Sequence, residues 1–469
     1  MTEMNENPLD LLPEVLLAGS AVLGLLVGSW LPRGRQWLVG ALAGGACTAG
    51  IVAAAPASTG TAFGGAFAVD PVTATSRIVI LGGTLVILAL SIIPLHANPR
   101  EGEFYTLLQL AALGAMMLAG AQDLLLLAAA YLLAGVPSYV LAGFRKDTLG
   151  TEAALKYYVV GALLGVFMLT GITVLYAAGR ATAYPMLRAE LPGASVRLTA
   201  AGVVAVLAGL LFKAGGVPGH FWVPDAVQGS AAPVAAFLTS LPKIGAVAAL
   251  YRLGAEVLAD TDVPWAGLVA VLSASSMTLG NLAAFFQQDV KRLLAYSTIS
   301  QVGYLLMPVA VAGRADLAQQ ALLFYLAGYA LTNIGAFSVV CALPGSRTLD
   351  SYRGLARQRP ALAGALVVCL LGLVGTPPTA VFLGKLEAFS AAFDGGYAWL
   401  TVLAAINTVA SLFYYLRWIA PALSAGRDER PREVIRTASV TAYGTAACTI
   451  VLGLAGGPVL TLLDGSLAR

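Results

Sequence analysis

Charge is scarce in this sequence: Asp, Glu, Lys and Arg make up 11% of 469 residues, and mean hydropathy is +0.82. A soluble globular domain carries about a quarter charged residues, so that class is excluded. Cysteine is scarce too. Cys47, Cys341, Cys369 and Cys448 all lie in apolar runs and form no C-x-x-C pair. They read as small buried hydrophobes rather than as ligands of an iron–sulfur cluster, and no metal site is expected. There is no Walker A motif and no G-x-G-x-x-G after a strand, which removes the common phosphate cradles. No basic stretch with interleaved aromatics offers a nucleic-acid surface. The opening MTEMNENPLD is acidic and lacks a basic n-region, so no cleavable signal peptide is expected.

Apolar length is what the chain has in plenty. Runs of roughly 20 residues, enough to cross a bilayer, recur at about 10–31, 37–55, 70–95, 103–121, 123–144, 154–179, 198–220, 231–252, 263–286, 291–312, 317–343, 361–391, 397–421 and 436–462. Lipid tolerates only helices or closed barrels, and these fourteen runs lack barrel alternation. The expected fold is an all-α polytopic membrane protein. Glycines within the runs let helices pack closely. Sixteen basic residues fall on one side, in loops around 33–35, 100, 145–146, 291–292, 347–359 and 417–436. Seven fall on the other: Arg77, Arg180, Arg188, Arg197, Arg252, Arg314 and Arg469. The excess places the first set in the cytoplasm and both termini outside.

The chain repeats itself. ALKYYVVGALL (154–164) aligns with ALLFYLAGYAL (321–331), setting Tyr158 over Tyr325 and Gly161 over Gly328. GGVPGHF (215–221) has a later echo in GTPPTAVF (375–382), so the offsets are 167 and about 160 residues. A unit of that length holds five spans, and two such units must be inverted relative to each other. One membrane domain follows: three helices in 1–100, a first repeat in 101–255, a second in 256–425 and a last helix in 426–469.

Sixteen and seven leave four of the 27 basic residues, Lys156, Lys213, Lys243 and Lys385, all inside expected spans. A central lysine costs about 2.5–3.5 kcal/mol on insertion scales, so these should face a hydrated interior. Arginine keeps its proton almost anywhere, whereas a buried lysine can exchange it. That sorting points to proton chemistry rather than charge placement. Lys213 precedes a break at Pro218, and Lys385 follows one at Pro377 and Pro378. A broken helix exposes backbone groups that can hold water or ions. Lys156, near the cytoplasmic end, can equally snorkel to the interface. His220 lies seven residues beyond Lys213, on the same face if the break allows, and is expected in the relay. The carboxylates are Glu14, Glu103 opening the fourth span, Glu152 opening the sixth, and Glu387 beside Lys385. All but Glu387 read equally well as helix-start residues.

On these residues the chain resembles the antiporter-like membrane subunits of respiratory complex I, in particular the subunit N family of bacterial NADH–quinone oxidoreductases. The likeness is densest in LLFKAGGVPGHFWVPDAVQGSAAPVAAFLTSLPKIGAVAALYRL (210–253), QQDVKRLLAYSTISQVGYLL (287–306), LDSYRGLARQRP (349–360) and GTPPTAVFLGKLEAFSAAF (375–393). It implies fourteen helices, two inverted five-helix repeats and discontinuous seventh and twelfth helices. It further implies proton translocation driven by quinone reduction elsewhere in the complex, in the bacterial inner membrane. Partners would be the other membrane-arm subunits, with NADH, FMN, iron–sulfur clusters and quinone held by partner subunits and no cofactor in this chain. Lys213, Lys243 and Lys385 match the lysines of the seventh, eighth and twelfth helices. Glu103 and Glu152 match accessory glutamates.

One position departs from the pattern. Where the family usually carries a glutamate in the fifth helix, to pair with the seventh-helix lysine, this chain has Tyr131. A phenol with an ordinary pKa near 10 is no anion at neutral pH. Tyr131 then passes protons through water, or the chain is a non-pumping scaffold paralogue. A cation/proton antiporter subunit is the competing function, since such antiporters share the lysine motifs. LDSYRGLARQRP and a lysine rather than a glutamate at 385 argue against it.

Overall fold

The computed structural model describes residues 8–55, 59–96, 98–425 and 433–468. Arg427, Arg430, Arg432 and Arg469, counted above for orientation, lie outside the described residues. Helices α1 (Leu12–Trp30), α2 (Trp37–Ala54) and α3 (Pro71–Leu95) come first. Between α2 and α3 runs a hairpin, β1 (Gly60–Ala62) and β2 (Phe67–Val69), paired antiparallel with Thr61 opposite Ala68. The next group is α4 (Glu101–Gly120), α5 (Leu124–Ala142), α6 (Thr148–Gly179), α7 (Tyr184–Glu190), α8 (Val196–Ala214), α9 (Trp222–Gly229) and α10 (Ala232–Arg252). Then follow α11 (Trp265–Ala284), α12 (Val290–Ala310), α13 (Ala318–Ala342), α14 (Leu355–Gln358), α15 (Pro360–Val374), α16 (Ala380–Asp394) and α17 (Ala398–Leu423). Helices α18 (Arg436–Leu454) and α19 (Gly456–Leu462) close the chain.

Among the described residues, thirteen helical stretches are long and apolar enough to cross a membrane, and α15 with α16 supplies a fourteenth in two pieces. The fourteen expected spans are therefore present. Aspartates set several starts. Asp70, Asp123, Asp147 and Asp289 each accept backbone N–H groups in the first turn of α3, α5, α6 and α12, satisfying donors that a helix start leaves free. The cap at Asp147 begins α6 about six residues earlier than the apolar pattern suggested, so Glu152 and Lys156 lie well inside it.

Helix α10 is the central pillar, with every residue of Pro233–Arg252 buried. Helices α4, α12 and α13 are also mostly buried, while α1, α2, α6, α17 and α18 turn apolar side chains outward. The C-terminal end of α5 (Phe144, Arg145) and the N-terminal end of α12 (Asp289, Val290, Lys291) line one cavity of about 520 Å³. The fifth and tenth crossings thus run in opposite directions, as inverted repeats require. At the opposite end lie the hairpin, Gln122 and the stretch after α10.

Two arginines read from sequence as loop charges are buried. Arg77 meets Glu14 through Nε and Nη2, both at 2.7 Å, so Glu14 is an ion-pair partner and not just a helix-start residue. Arg252 is fully buried. It contacts Asp70 at 2.6 Å and Glu256 at 2.8 Å, and donates to the Ala119 carbonyl at 2.6 Å. A buried charge must find such partners.

Candidate functional site

Both broken crossings end their first half in the same way. Gly215 has φ +77° and Gly375 φ +92°, the left-handed region where a Cβ is strained. Gly215 N–H donates to the carbonyls of Leu211 and Phe212, and Gly216 N–H to Leu211. Shifted by 160 residues, Gly375 N–H donates to Leu371 and Gly372, and Thr376 N–H to Leu371. Each break also holds a cis peptide bond, Val217–Pro218 in one and Pro377–Pro378 in the other. Beyond the breaks, α9 and α16 resume the crossing.

The lysines sit at these interruptions. Lys213 is in the last turn of α8, 1% exposed, and no described residue hydrogen-bonds its Nζ. The amine lies 5.4 Å from the Tyr131 ring and 5.7 Å from that of Tyr139, both on α5. The fold thus brings Lys213 to Tyr131, and the face it meets is aromatic. Lys243, midway along α10 and 2% exposed, points at the other side of the same break: a Cβ built on Gly215 would lie 3.9 Å from its Nζ. Its ring neighbour is Tyr329 of α13, at 5.7 Å. Lys385 of α16 is 3% exposed. It donates to the Val374 carbonyl at 2.9 Å and to Thr408 at 3.4 Å, with the Tyr304 ring at 3.9 Å. An amine there satisfies a carbonyl left free where α15 ends.

A run of buried polar side chains fills the space between Lys243 and Lys385. Tyr329 Oη donates to the Thr239 carbonyl at 2.7 Å and to Thr298 at 3.1 Å. Asn333 donates to Thr239 and Ser240, each at 2.9 Å. One turn beyond Thr298, Gln301 donates to the Leu373 carbonyl at 2.7 Å and accepts from Tyr325 at 2.6 Å. Leu373 adjoins Val374, to which Lys385 is bonded. Sequence reading used Tyr325 only as a marker of the repeat and did not single out Thr298, Gln301, Tyr329 or Asn333. The available signal was the polar cluster STISQ (297–301) inside an otherwise apolar helix.

The other expected residues lie apart from this line. Lys156 is exposed on α6 and pairs with Glu152 at 2.7 Å and with Asp225 at 2.9 Å. Asp225 also holds Arg292 at 2.8 Å, making a charged cluster on the outer surface. Glu103 is exposed in the first turn of α4, and Glu387 is half-buried. His220 lies in the break, its ring 4.4 Å from that of Phe221. Because α8 ends at Ala214, helical spacing does not put His220 on the face of Lys213. Lys291, counted above as a loop charge, donates to the carbonyls of Gln228 and Ser230 at 2.6 and 2.8 Å and so caps α9.

Two inverted units, each with a broken crossing and a buried lysine at its break, define an antiporter-like membrane subunit. The sequence matches the family described as NADH:quinone oxidoreductase/Mrp antiporter, TM, over residues 121–411. It is 52% identical to NADH-quinone oxidoreductase subunit N of Mycobacterium sp. (strain JLS), over 97% of this chain and 98% of that one. It is also 52% identical to subunit N 1 of Streptomyces griseus, over 99% of each. Among solved structures, a chain of respiratory complex I from Thermus thermophilus is similar with TM-score 0.84 at 34% identity, covering 96% of this chain and 99% of that one. A chain of the Mrp complex from Dietzia sp. DQ12-45-1b, 22% identical with TM-score 0.82 over 97% and 95% of the two chains, shares the fold. The chain belongs to the NADH-quinone oxidoreductase subunit N family.

Proposed function

We propose that this chain moves protons as the antiporter-like N subunit of a bacterial complex I, assembled with the other membrane-arm subunits in the cell membrane. One observation carries the reading: Lys213, Lys243 and Lys385 are buried, and all three adjoin the two helix breaks. Permanent burial of three amines costs too much to serve packing alone. In this reading Lys213 hands its proton past the first break to Lys243. The Tyr329, Thr298 and Gln301 groups, with water, conduct it on to Lys385. His220 serves the relay from within the break. Glu103, Glu152, Lys156 and Glu387 are accessory: the first three set local charge near the starts of α4 and α6, and Glu387 does so beside Lys385. NADH, FMN, iron–sulfur clusters and quinone belong to partner subunits, whose quinone chemistry drives the cycle. The repeats occupy 101–255 and 256–425.

A second reading, a scaffold that assembles without pumping, is favoured by Tyr131. The discriminating experiment uses the whole complex, recovered in mild detergent and reconstituted into vesicles. Lys213→Ala is expected to lower the proton-to-electron ratio while assembly and NADH oxidation persist. An unchanged ratio would establish the scaffold. Co-purification with small antiporter subunits instead of redox subunits would make the chain a cation/proton antiporter component.

A further inference from the structure

We infer that Tyr131 and Tyr139 form an aromatic notch that holds the Lys213 ammonium by its positive charge, taking the place of a carboxylate partner. This rests on the proton-carrying role of Lys213 proposed above. Tyr131, Gly135 and Tyr139 occupy positions i, i+4 and i+8 of α5, one face of the helix. The two rings stand above and below the glycine, and a Cβ built on Gly135 would lie 3.4 Å from Lys213 Nζ and 3.2 Å from Tyr139 Oη. The glycine therefore leaves the gap into which the amine reaches. Both ring centroids lie within 6 Å of Nζ, the range in which a ring's negative face attracts a cation, and more so away from water.

The neighbouring helix is cut to fit the same rings. On α6, one turn apart, a Cβ on Gly165 would lie 3.3 Å from the Tyr131 ring, and one on Gly161 would collide with Tyr139. Tyr139 meets Tyr157 edge-on at 4.6 Å, and Tyr157 stacks on Trp222 of α9 at 4.0 Å. Trp222 Nε1 in turn donates to the Phe212 carbonyl at 2.9 Å, beside Lys213. The wall thus joins α5, α6, α8 and α9 around the amine. No described residue hydrogen-bonds Nζ, so the ring faces are its polar environment. A ring face attracts the charge but accepts no proton. The proton then leaves Lys213 only across the break, toward Lys243, and the tyrosines act as positioning residues.

The test reads the proton-to-electron ratio of the reconstituted complex. Tyr131→Leu and Tyr139→Leu are expected to lower the ratio as far as Lys213→Ala does, and Tyr131→Phe and Tyr139→Phe to rescue it. Failure of the phenylalanine to rescue would assign the role to the hydroxyl and overturn the notch. Leucine variants that pump at the unaltered ratio would overturn it as well. Should the leucine variants not assemble, phenylalanine carrying one, two or three fluorines at position 131 decides the matter. Fluorine drains the ring face with little change of shape, so a stepwise fall in the ratio is expected, and a flat series overturns the proposal. If Lys213→Ala itself leaves the ratio unchanged, the proton-carrying role fails, a result distinct from failure of the notch alone.

Discussion

Asp70 sits where three parts of the chain meet. Its carboxylate caps α3 through Thr73 N–H at 3.0 Å, pairs with Arg252 at 2.6 Å and accepts the Ala468 N–H at 3.1 Å. Burial by itself would push this carboxyl up; the Arg252 guanidinium and the two N–H donors outweigh it and hold the carboxyl below its ordinary value. The folded chain thus binds fewer protons here than the unfolded chain does in the carboxylate range. The stabilisation is complete above the unfolded value, about pH 4, and is lost as pH falls through the folded one. Thermal unfolding of the detergent-solubilised protein is expected to shift to lower temperature as pH falls below about 4. The shift should be smaller in Asp70→Asn, which is less stable at neutral pH; equal shifts in both would remove Asp70 from the account. This network was not legible in the sequence. Arg252 stands at the end of an apolar run and reads as a loop charge, because its partners are 182 residues earlier and four residues later.

Helix ends were easier to read than side-chain partners. Glycine and proline mark both breaks in the bare sequence, since few other residues adopt the left-handed turn or forgo a backbone donor. The extent of the pieces was less visible. Helix α9 runs to Gly229, beyond the expected end near 220, and the hairpin and α7 are too short for a periodic pattern to declare. The polar run through Thr298 and Gln301 was hidden for another reason: a buried serine or glutamine looks like a surface one until its partner helix is known. The breaks lend themselves to a direct test. Alanine at Gly375 must adopt φ near +92°, and its Cβ would lie 3.0 Å from Lys385 Cδ. The backbone strain costs about 1–2 kcal/mol, and relief moves the lysine off the Val374 carbonyl. Gly375→Ala is expected to lower the proton-to-electron ratio while the complex still assembles. Gly364→Ala on the same crossing meets nothing within 4 Å; it should leave pumping unchanged and raise stability by about 0.4–1 kcal/mol. Equal behaviour of the two variants would show that the break is not what positions Lys385.

An orientation in the membrane is expected from how the two ends of the bundle differ in charge. Arg100, Arg145, Lys291 and Arg347 gather around the cavity at one end, opposed there by Asp147 and Asp289. At the hairpin end, Arg252 is consumed by Asp70 and Glu256, and Arg188 pairs with Asp260 at 2.7 Å. Around this cavity four basic residues outnumber two acidic ones, so the positive-inside tendency leads to the expectation that the cavity end faces the cytoplasm. Fourteen crossings, an even number, then put both chain ends on the hairpin side. Cys47, Cys341 and Cys369 are buried and Cys448 faces outward from α18, so a membrane-impermeant maleimide needs a Cys448→Ser background. In that background Arg347→Cys is expected to react in inside-out vesicles and not in intact cells, and Gly64→Cys in the hairpin to do the reverse. The opposite pattern would invert the whole bundle. Under the relay proposed above, it would also reverse which broken crossing faces the proton source, because Lys213 and Lys385 lie in units of opposite direction.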